Sequence, residues 1–207
     1  MIGQQLRAWG VLDERVLDVM RNLPRERFVP PEWAALAYAD AAIPVGQGKT
    51  LPPPKIQGRI LDALDPKPGD SALEIGTGTG YLTACLARLT SHVTSVEIHD
   101  ELSDIARANL EATGIRNVRL LVDDAFAMEF SRRYDVIAVN GSLPVRHERF
   151  ENLLAIGGRM FELVGSAPVM QAWLIVRKSD RQFSRQELFE TCLPALENAP
   201  RPEAFVF

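Results

Sequence analysis

Apolar positions change period along this chain, and the changes mark its elements. Leu6, Val11, Leu12, Val16, Leu17 and Met20 recur every three to five residues, which predicts an amphipathic helical stretch interrupted near Gly10 and ending before Pro24. A second short helix is expected over 30–37, with proline in its first turn. The next segment, roughly 38–54, is rich in glycine and proline and reads as a long loop, of a length that is usually functional inside a compact domain. A helix over 56–64 and a turn over 66–70 follow.

From there short apolar runs alternate with helical periods. Strands are expected at 72–75, 93–97, 118–122 and 136–140, and helices at 81–89, 101–113 and 146–154, with Gly114 as a helix C-cap. The pair Gly157-Gly158 reads as the turn into a strand at 159–164, and two more strands are expected at about 172–176 and 183–189. Such alternation predicts an α/β architecture: a Rossmann-like, doubly wound, mostly parallel sheet with an N-terminal helical cap, binding ligands at the carboxyl ends of its strands. One domain is expected over 1–207, with a cap and loop over 1–69 and a cofactor-binding core over 70–207.

Candidate chemistry gathers on that edge. The run Ala72-Leu-Glu-Ile-Gly-Thr-Gly-Thr-Gly-Tyr81 joins a buried strand to Gly76, Thr77, Gly78 and Gly80, a turn that lets a ligand lie against main chain. Glu97, followed by Ile98, closes the next strand about 20 residues later, where a carboxylate accepts ribose hydroxyls. A dinucleotide fingerprint needs glycine where Tyr81 stands, which counts against pyrophosphate and a nicotinamide enzyme. Glu74 beside the turn suits a ligand bearing an ammonium and a sulfonium, and S-adenosyl-L-methionine is such a ligand. The third strand ends in Asp123-Asp124-Ala125-Phe126, where Asp124 can accept the adenine amino group while Phe126 packs on the ring. The fourth ends at Asn140, in a turn expected to face the departing methyl.

Composition narrows the partners. A net charge of −4 lacks the basic surface that non-specific nucleic-acid binding requires. No apolar run reaches bilayer-spanning length and the first residues lack a signal peptide's apolar core, so a cytoplasmic protein is expected. Cys85 and Cys192 form no metal or redox spacing, and His92, His99 and His147 form no ligand set, so no metal is expected.

Several segments together resemble the protein-L-isoaspartate O-methyltransferases: Gln4-Gln5-Leu6-Arg7, Pro24-Arg-Glu-Arg-Phe-Val-Pro30, Ala37-Tyr-Ala-Asp40, Ile43-Pro-Val-Gly46, the glycine turn, and Gly157-Gly-Arg159. The resemblance covers nearly the whole chain. It implies a class I methyltransferase fold, S-adenosyl-L-methionine as donor, S-adenosyl-L-homocysteine as product, and transfer to the α-carboxylate of isoaspartyl residues in a protein or peptide. A carboxylate is already ionised at neutral pH and needs no general base.

The chain departs from that family's pattern in the loop. Where the family reads Gly-Gln-Thr-Ile-Ser, this chain has Gly48-Lys49-Thr50-Leu51-Pro52, followed by Pro53 and Pro54. Lys49, Thr50 and Leu51 are therefore the expected acceptor-side residues. Pro52 supplies neither the hydroxyl nor the amide of the family's serine, whereas Lys49 brings a point charge in place of a neutral glutamine. Two other readings stay open on this departure: a methyltransferase with a different acceptor, and a cofactor-binding protein without isoaspartyl activity.

Overall fold

In the computed structural model, which describes residues 1–202, a π-helical turn at Ile2–Leu6 and a 3-10 turn at Arg7–Trp9 are stopped by Gly10, left-handed at φ 80°. Helix α1, Glu14–Asn22, starts at Asp13, whose carboxylate caps the Arg15 amide at 2.8 Å, and it buries Val16, Leu17 and Met20. The expected interruption at Gly10 is therefore present. The second predicted helix is the 3-10 stretch Pro31–Leu36.

The expected loop over 38–54 contains a hairpin instead, β1 (Ile43–Gly46) against β2 (Lys49–Leu51). Its tip residues, Gln47 and Gly48, both have positive φ, 51° and 67°, the backbone that lets two short antiparallel strands meet across a two-residue turn. Strands this short carry too few alternating positions to be seen as a pattern. Helix α2, Pro54–Leu64, follows with proline at its first positions.

The main sheet comprises β3 (Ser71–Ile75), β4 (His92–Glu97), β5 (Val118–Val122), β6 (Tyr134–Leu143), β7 (Leu154–Ser166), β8 (Val169–Arg177) and β9 (Phe183–Glu190), in the order β5-β4-β3-β6-β7-β8-β9. Helices α3 (Tyr81–Leu89), α4 (Asp100–Ala112) and the single turn α5 (Glu148–Glu151) lie among them. The pairs from β5 to β7 are parallel. The pairs β7 with β8 and β8 with β9 are antiparallel, because their links are too short for a crossover. Strand order reverses between β3 and β6, which opens a crevice at their carboxyl ends.

Three boundaries differ from the sequence reading. The predicted strand end at Asn140 is not an end, since β6 runs on to Leu143 through a register shift between Ala138 and Ser142. The helix expected over 146–154 shrinks to α5, and Leu154 already belongs to β7. Gly157-Gly158 is a bulge inside β7 rather than a turn before it. Gly157 has φ 82°, and a Cβ on Gly158 would stand 3.0 Å from the Tyr134 carbonyl, so the pair kinks the strand without ending it.

One buried cluster joins the cap to one face of the sheet: Leu6, Val11, Leu17 and Met20 share it with Ile60 of α2, Leu82 of α3, and Ala72, Val93 and Val136 of the sheet. Leu73, Ile75, Val96, Ile137, Val139 and Met160 pack on the other face with Phe150. Alternate residues of β3 thus enter different clusters, and a strand buried on both faces reads as a continuous apolar run. Among the described residues no helix is long and apolar enough to cross a membrane.

Gly80, with φ 88°, precedes α3, and a Cβ there would lie 3.1 Å from the Ala106 Cβ and 3.3 Å from the Ala106 Cα of α4. Gly80→Ala should therefore destabilise the protein by about 1–3 kcal/mol, the cost of a left-handed non-glycine residue, to which the close approach of α4 adds. Urea unfolding followed by far-UV dichroism measures this. An unchanged midpoint would show that the helices move apart freely.

Candidate active site

The carboxyl ends of β3, β4, β5 and β6 share one cleft, with an empty volume of about 880 Å³ including open solvent at its mouth. Its floor is Gly76 to Thr79, Val96 to Ile98, Asp123 to Phe126, and Asn140 with Gly141. Val45 and Lys49 to Pro52 reach it from the hairpin, and Leu193 to Glu197 from the C-terminal segment.

The floor is built around Glu97. Its Oε2 accepts the Gly78 amide at 2.7 Å, and its Oε1 accepts the amides of Ile98 at 3.1 Å and His99 at 3.2 Å. Gly78 reaches it because Gly76, Gly78 and Gly80 all have positive φ, which folds the turn back over β4. A Cβ on Gly76 would stand 3.1 Å from the Asn140 carbonyl, so the turn also lies tight against β6. The turn is pinned by Thr77 Oγ1 to Ser95 Oγ at 2.6 Å, and by Thr79 Oγ1 donating to the Phe28 carbonyl at 2.6 Å.

Asp124 Oδ1 accepts the Phe126 amide at 2.8 Å and Oδ2 accepts Asn198 Nδ2 at 2.9 Å, which fixes the carboxylate at the end of β5. Phe126 stands beside it, its ring centroid 5.2 Å from that of Phe150. Asn140 donates through Nδ2 to the Gly76 carbonyl at 2.9 Å, and its Oδ1 is buried without a partner among the described residues. An orphaned acceptor on a cavity wall is a place for a ligand's donor.

Eleven of the residues singled out in the sequence line this cleft: Gly76, Thr77, Gly78, Glu97, Ile98, Asp124, Ala125 and Asn140 on the floor, and Lys49, Thr50 and Leu51 on the hairpin. Glu74, Gly80 and Tyr81 do not. Glu74 lies wholly buried beneath the turn, accepting hydrogen bonds from Thr83 Oγ1 and, at 2.8 Å, from Ser95 Oγ. Burial pushes its carboxyl up to about 8, so it is mostly protonated at neutral pH and cannot be the fixed negative charge expected of it. Gly80 packs on α4, and the Tyr81 ring is enclosed between Phe28, at 5.3 Å, and the Arg25 guanidinium, at 4.6 Å.

Two contributors were not singled out as site residues in the sequence. Leu193 to Glu197 carries no motif, yet it is tied to β6 by Ser142, whose amide donates to the Pro194 carbonyl and whose carbonyl accepts the Leu196 amide, both at 3.0 Å. Arg25 is fully buried. Its guanidinium donates to the Ala37 carbonyl at 2.7 Å, to Gln57 Oε1 and to the Pro52 carbonyl, so Pro52 contributes its main chain as an anchor for the hairpin's exit. Among the described residues no cluster of histidine, cysteine and carboxylate side chains has the makings of a metal site.

With this geometry the family can be assigned. The sequence model of the family described as Protein-L-isoaspartate(D-aspartate) O-methyltransferase (PCMT) matches residues 1–196. The chain belongs to that family. A relative from Koribacter versatilis named protein-L-isoaspartate O-methyltransferase is 40% identical over 189 residues, covering 91% of this chain and 85% of its own length. One of the same name from Aeropyrum pernix is 39% identical, covering 86% and 70%. A crystal structure from Plasmodium falciparum, described as a protein-L-isoaspartate O-methyltransferase in complex with S-adenosyl-L-homocysteine, superposes with a TM-score of 0.79 at 21% identity, covering 92% of this chain and 94% of that one. That likeness shows the fold: the Rossmann-like, doubly wound arrangement expected from the strand and helix pattern.

Glu74 makes stability depend on pH. A carboxyl that keeps its proton up to about 8 when folded, against an ordinary value of 4.5, stabilises fully below about 4.5, and that stabilisation is lost as pH rises through about 8. Glu74→Gln keeps an acceptor for Thr83 and Ser95 but cannot ionise. Melting temperature against pH should fall less steeply between 4.5 and 8 for the variant than for the parent. Parallel curves would mean that Glu74 does not carry this linkage.

Proposed function

We propose that this protein binds S-adenosyl-L-methionine in the cleft and transfers its methyl group to the α-carboxylate of isoaspartyl residues in a protein or peptide, leaving S-adenosyl-L-homocysteine. The observation that carries the reading is Glu97, locked by three backbone amides at the end of β4 beneath a turn of three left-handed glycines, in a chain of this family. The names of its relatives support the acceptor.

The residues fit the donor. A carboxylate has about four lone-pair sites, so three amides leave Glu97 able to accept a ribose hydroxyl. Asp124 keeps a second lone pair on each oxygen for the adenine amino group, and Phe126 offers an apolar ring beside it. Asn140 Oδ1 is the free acceptor for an ammonium. The carboxylates of Glu97, Asp123 and Asp124 line the cleft and favour a cationic ligand over a diphosphate.

When bound, the donor supplies an electrophilic methyl on a sulfonium. The protein's task is then to hold an already ionised carboxylate in line and keep water out. The hairpin and the segment Leu193 to Glu197 roof the cleft, with Thr50 and Leu51 among the residues that line it. In this reading 1–69 and 70–207 work as one unit in the cytoplasm, the first supplying the hairpin side of the roof and the second the donor site and the rest of the roof.

Incubation with labelled S-adenosyl-L-methionine and an isoaspartyl peptide should yield a base-labile methyl ester, absent with the matched aspartyl peptide. No ester on either would sink the acceptor assignment. By calorimetry, Glu97→Ala should weaken S-adenosyl-L-homocysteine binding by about tenfold or more, the loss of a hydrogen bond to a charged group. Unaltered affinity would remove Glu97 from the donor site.

A further inference from the structure

We infer that Lys49 recognises the acceptor's carboxylate in this chain, and that Glu197 is a resident carboxylate occupying Lys49 until the acceptor displaces it. The inference rests on the proposed function and names the anion subsite within it.

Charge on the cleft wall is one-sided. Among the residues lining it, Glu97, Asp123, Asp124 and Glu197 are acidic and Lys49 is the only lysine or arginine. An anionic acceptor is repelled by every other charged group on that wall. Position 52 adds no donor for it, because Pro52 has neither hydroxyl nor amide and its carbonyl is turned to Arg25. Thr50 offers a neutral hydroxyl next to Lys49, which leaves Lys49 as the one charged donor the hairpin brings to the cleft.

Lys49 already holds a carboxylate. Its Nζ donates to Glu197 Oε1 at 2.6 Å, and the same oxygen lies 2.9 Å from His99 Nε2. The hydrogen bond from Lys49 is the main reason the Glu197 carboxyl titrates below its ordinary range. Both backbones are anchored: Lys49 pairs with Gly46 across the hairpin, and Glu197 follows the bridge between Ser142 and Ala195. A carboxylate can therefore be bound at this point of the roof, between the hairpin and the end of β6.

The pair is also easy to open. The Lys49 side chain is 26% exposed and that of Glu197 43%, and ion pairs so accessible to water contribute little. Exchanging one carboxylate for another leaves Lys49 paired throughout, and the released Glu197, 43% exposed, is taken up by water. Glu197 thereby competes with the acceptor for the same ammonium, and removing it should help the acceptor bind.

Initial rates on an isoaspartyl peptide at saturating S-adenosyl-L-methionine test this with K49Q, K49R and E197Q. K49Q should raise KM about tenfold or more, the loss of one charge-assisted hydrogen bond, with kcat and donor affinity nearly unchanged. K49R should restore much of the loss, and E197Q should lower KM several-fold. An unchanged KM in K49Q, or an E197Q whose KM rises as K49Q's does, would reduce the pair to a structural latch and overturn the inference while leaving the proposed function intact. If the parent binds donor but forms no ester, the proposed function fails instead. Calorimetry of the peptide against protein loaded with S-adenosyl-L-homocysteine then decides: binding to the parent but not to K49Q sustains the inference, and binding to neither or to both overturns it.

Discussion

A guanidinium buried in the cap holds the two halves of this protein together. Arg25 has no carboxylate partner among the described residues, and burial lowers its pKa, so its charge is met by neutral acceptors from separate elements: the Ala37 carbonyl, Gln57 of α2 and the Pro52 carbonyl. The Tyr81 ring at the start of α3 lies against its face. A buried cation left without partners is costly, so these elements are obliged to converge on it. The exit of the β1–β2 hairpin is thereby set relative to the glycine turn, because Tyr81 directly follows Gly80.

The same turn is fixed from below. Glu97 gathers amides from two strand ends, and the glycines supply a backbone that no side chain could follow without strain. Glu74, one layer deeper, is a neutral acceptor for Thr83 and Ser95 at physiological pH, because burial outweighs the hydroxyl donors that would favour its ionised form. Two acidic residues on adjacent strands thus have opposite tasks. Glu97, bonded by amides, lines the cleft; Glu74, enclosed, belongs to the packing.

The roof is made by segments far apart in sequence. Lys49 comes from the hairpin and Glu197 from the stretch after β9, and they meet only because Ser142 draws that stretch alongside β6. Sheet order does the rest. With β3 and β6 adjacent at the point where strand order reverses, the turn after β3, Glu97 at the end of β4, the aspartates after β5, and Asn140 of β6 are brought to one cleft.

The sequence by itself determined the parallel core, the glycine turn, the Glu97 and Asp124 positions and the likeness to its family, because period, glycine placement and an acid at a strand end are local signals that act over a few residues. It misjudged the hairpin, whose strands are too short to show alternation, and the strand β7, whose glycine pair reads as a terminator but is a bulge that Tyr134 on the neighbouring strand accommodates. Only the tertiary structure decided that Glu74 and Tyr81 face inward, that Pro52 acts through its carbonyl, and that the C-terminal segment closes the cleft with Glu197. Burial, the partner of a long side chain and the pairing of distant segments depend on which elements become neighbours. That is fixed by packing across the whole chain, and residue spacing along one stretch does not encode it.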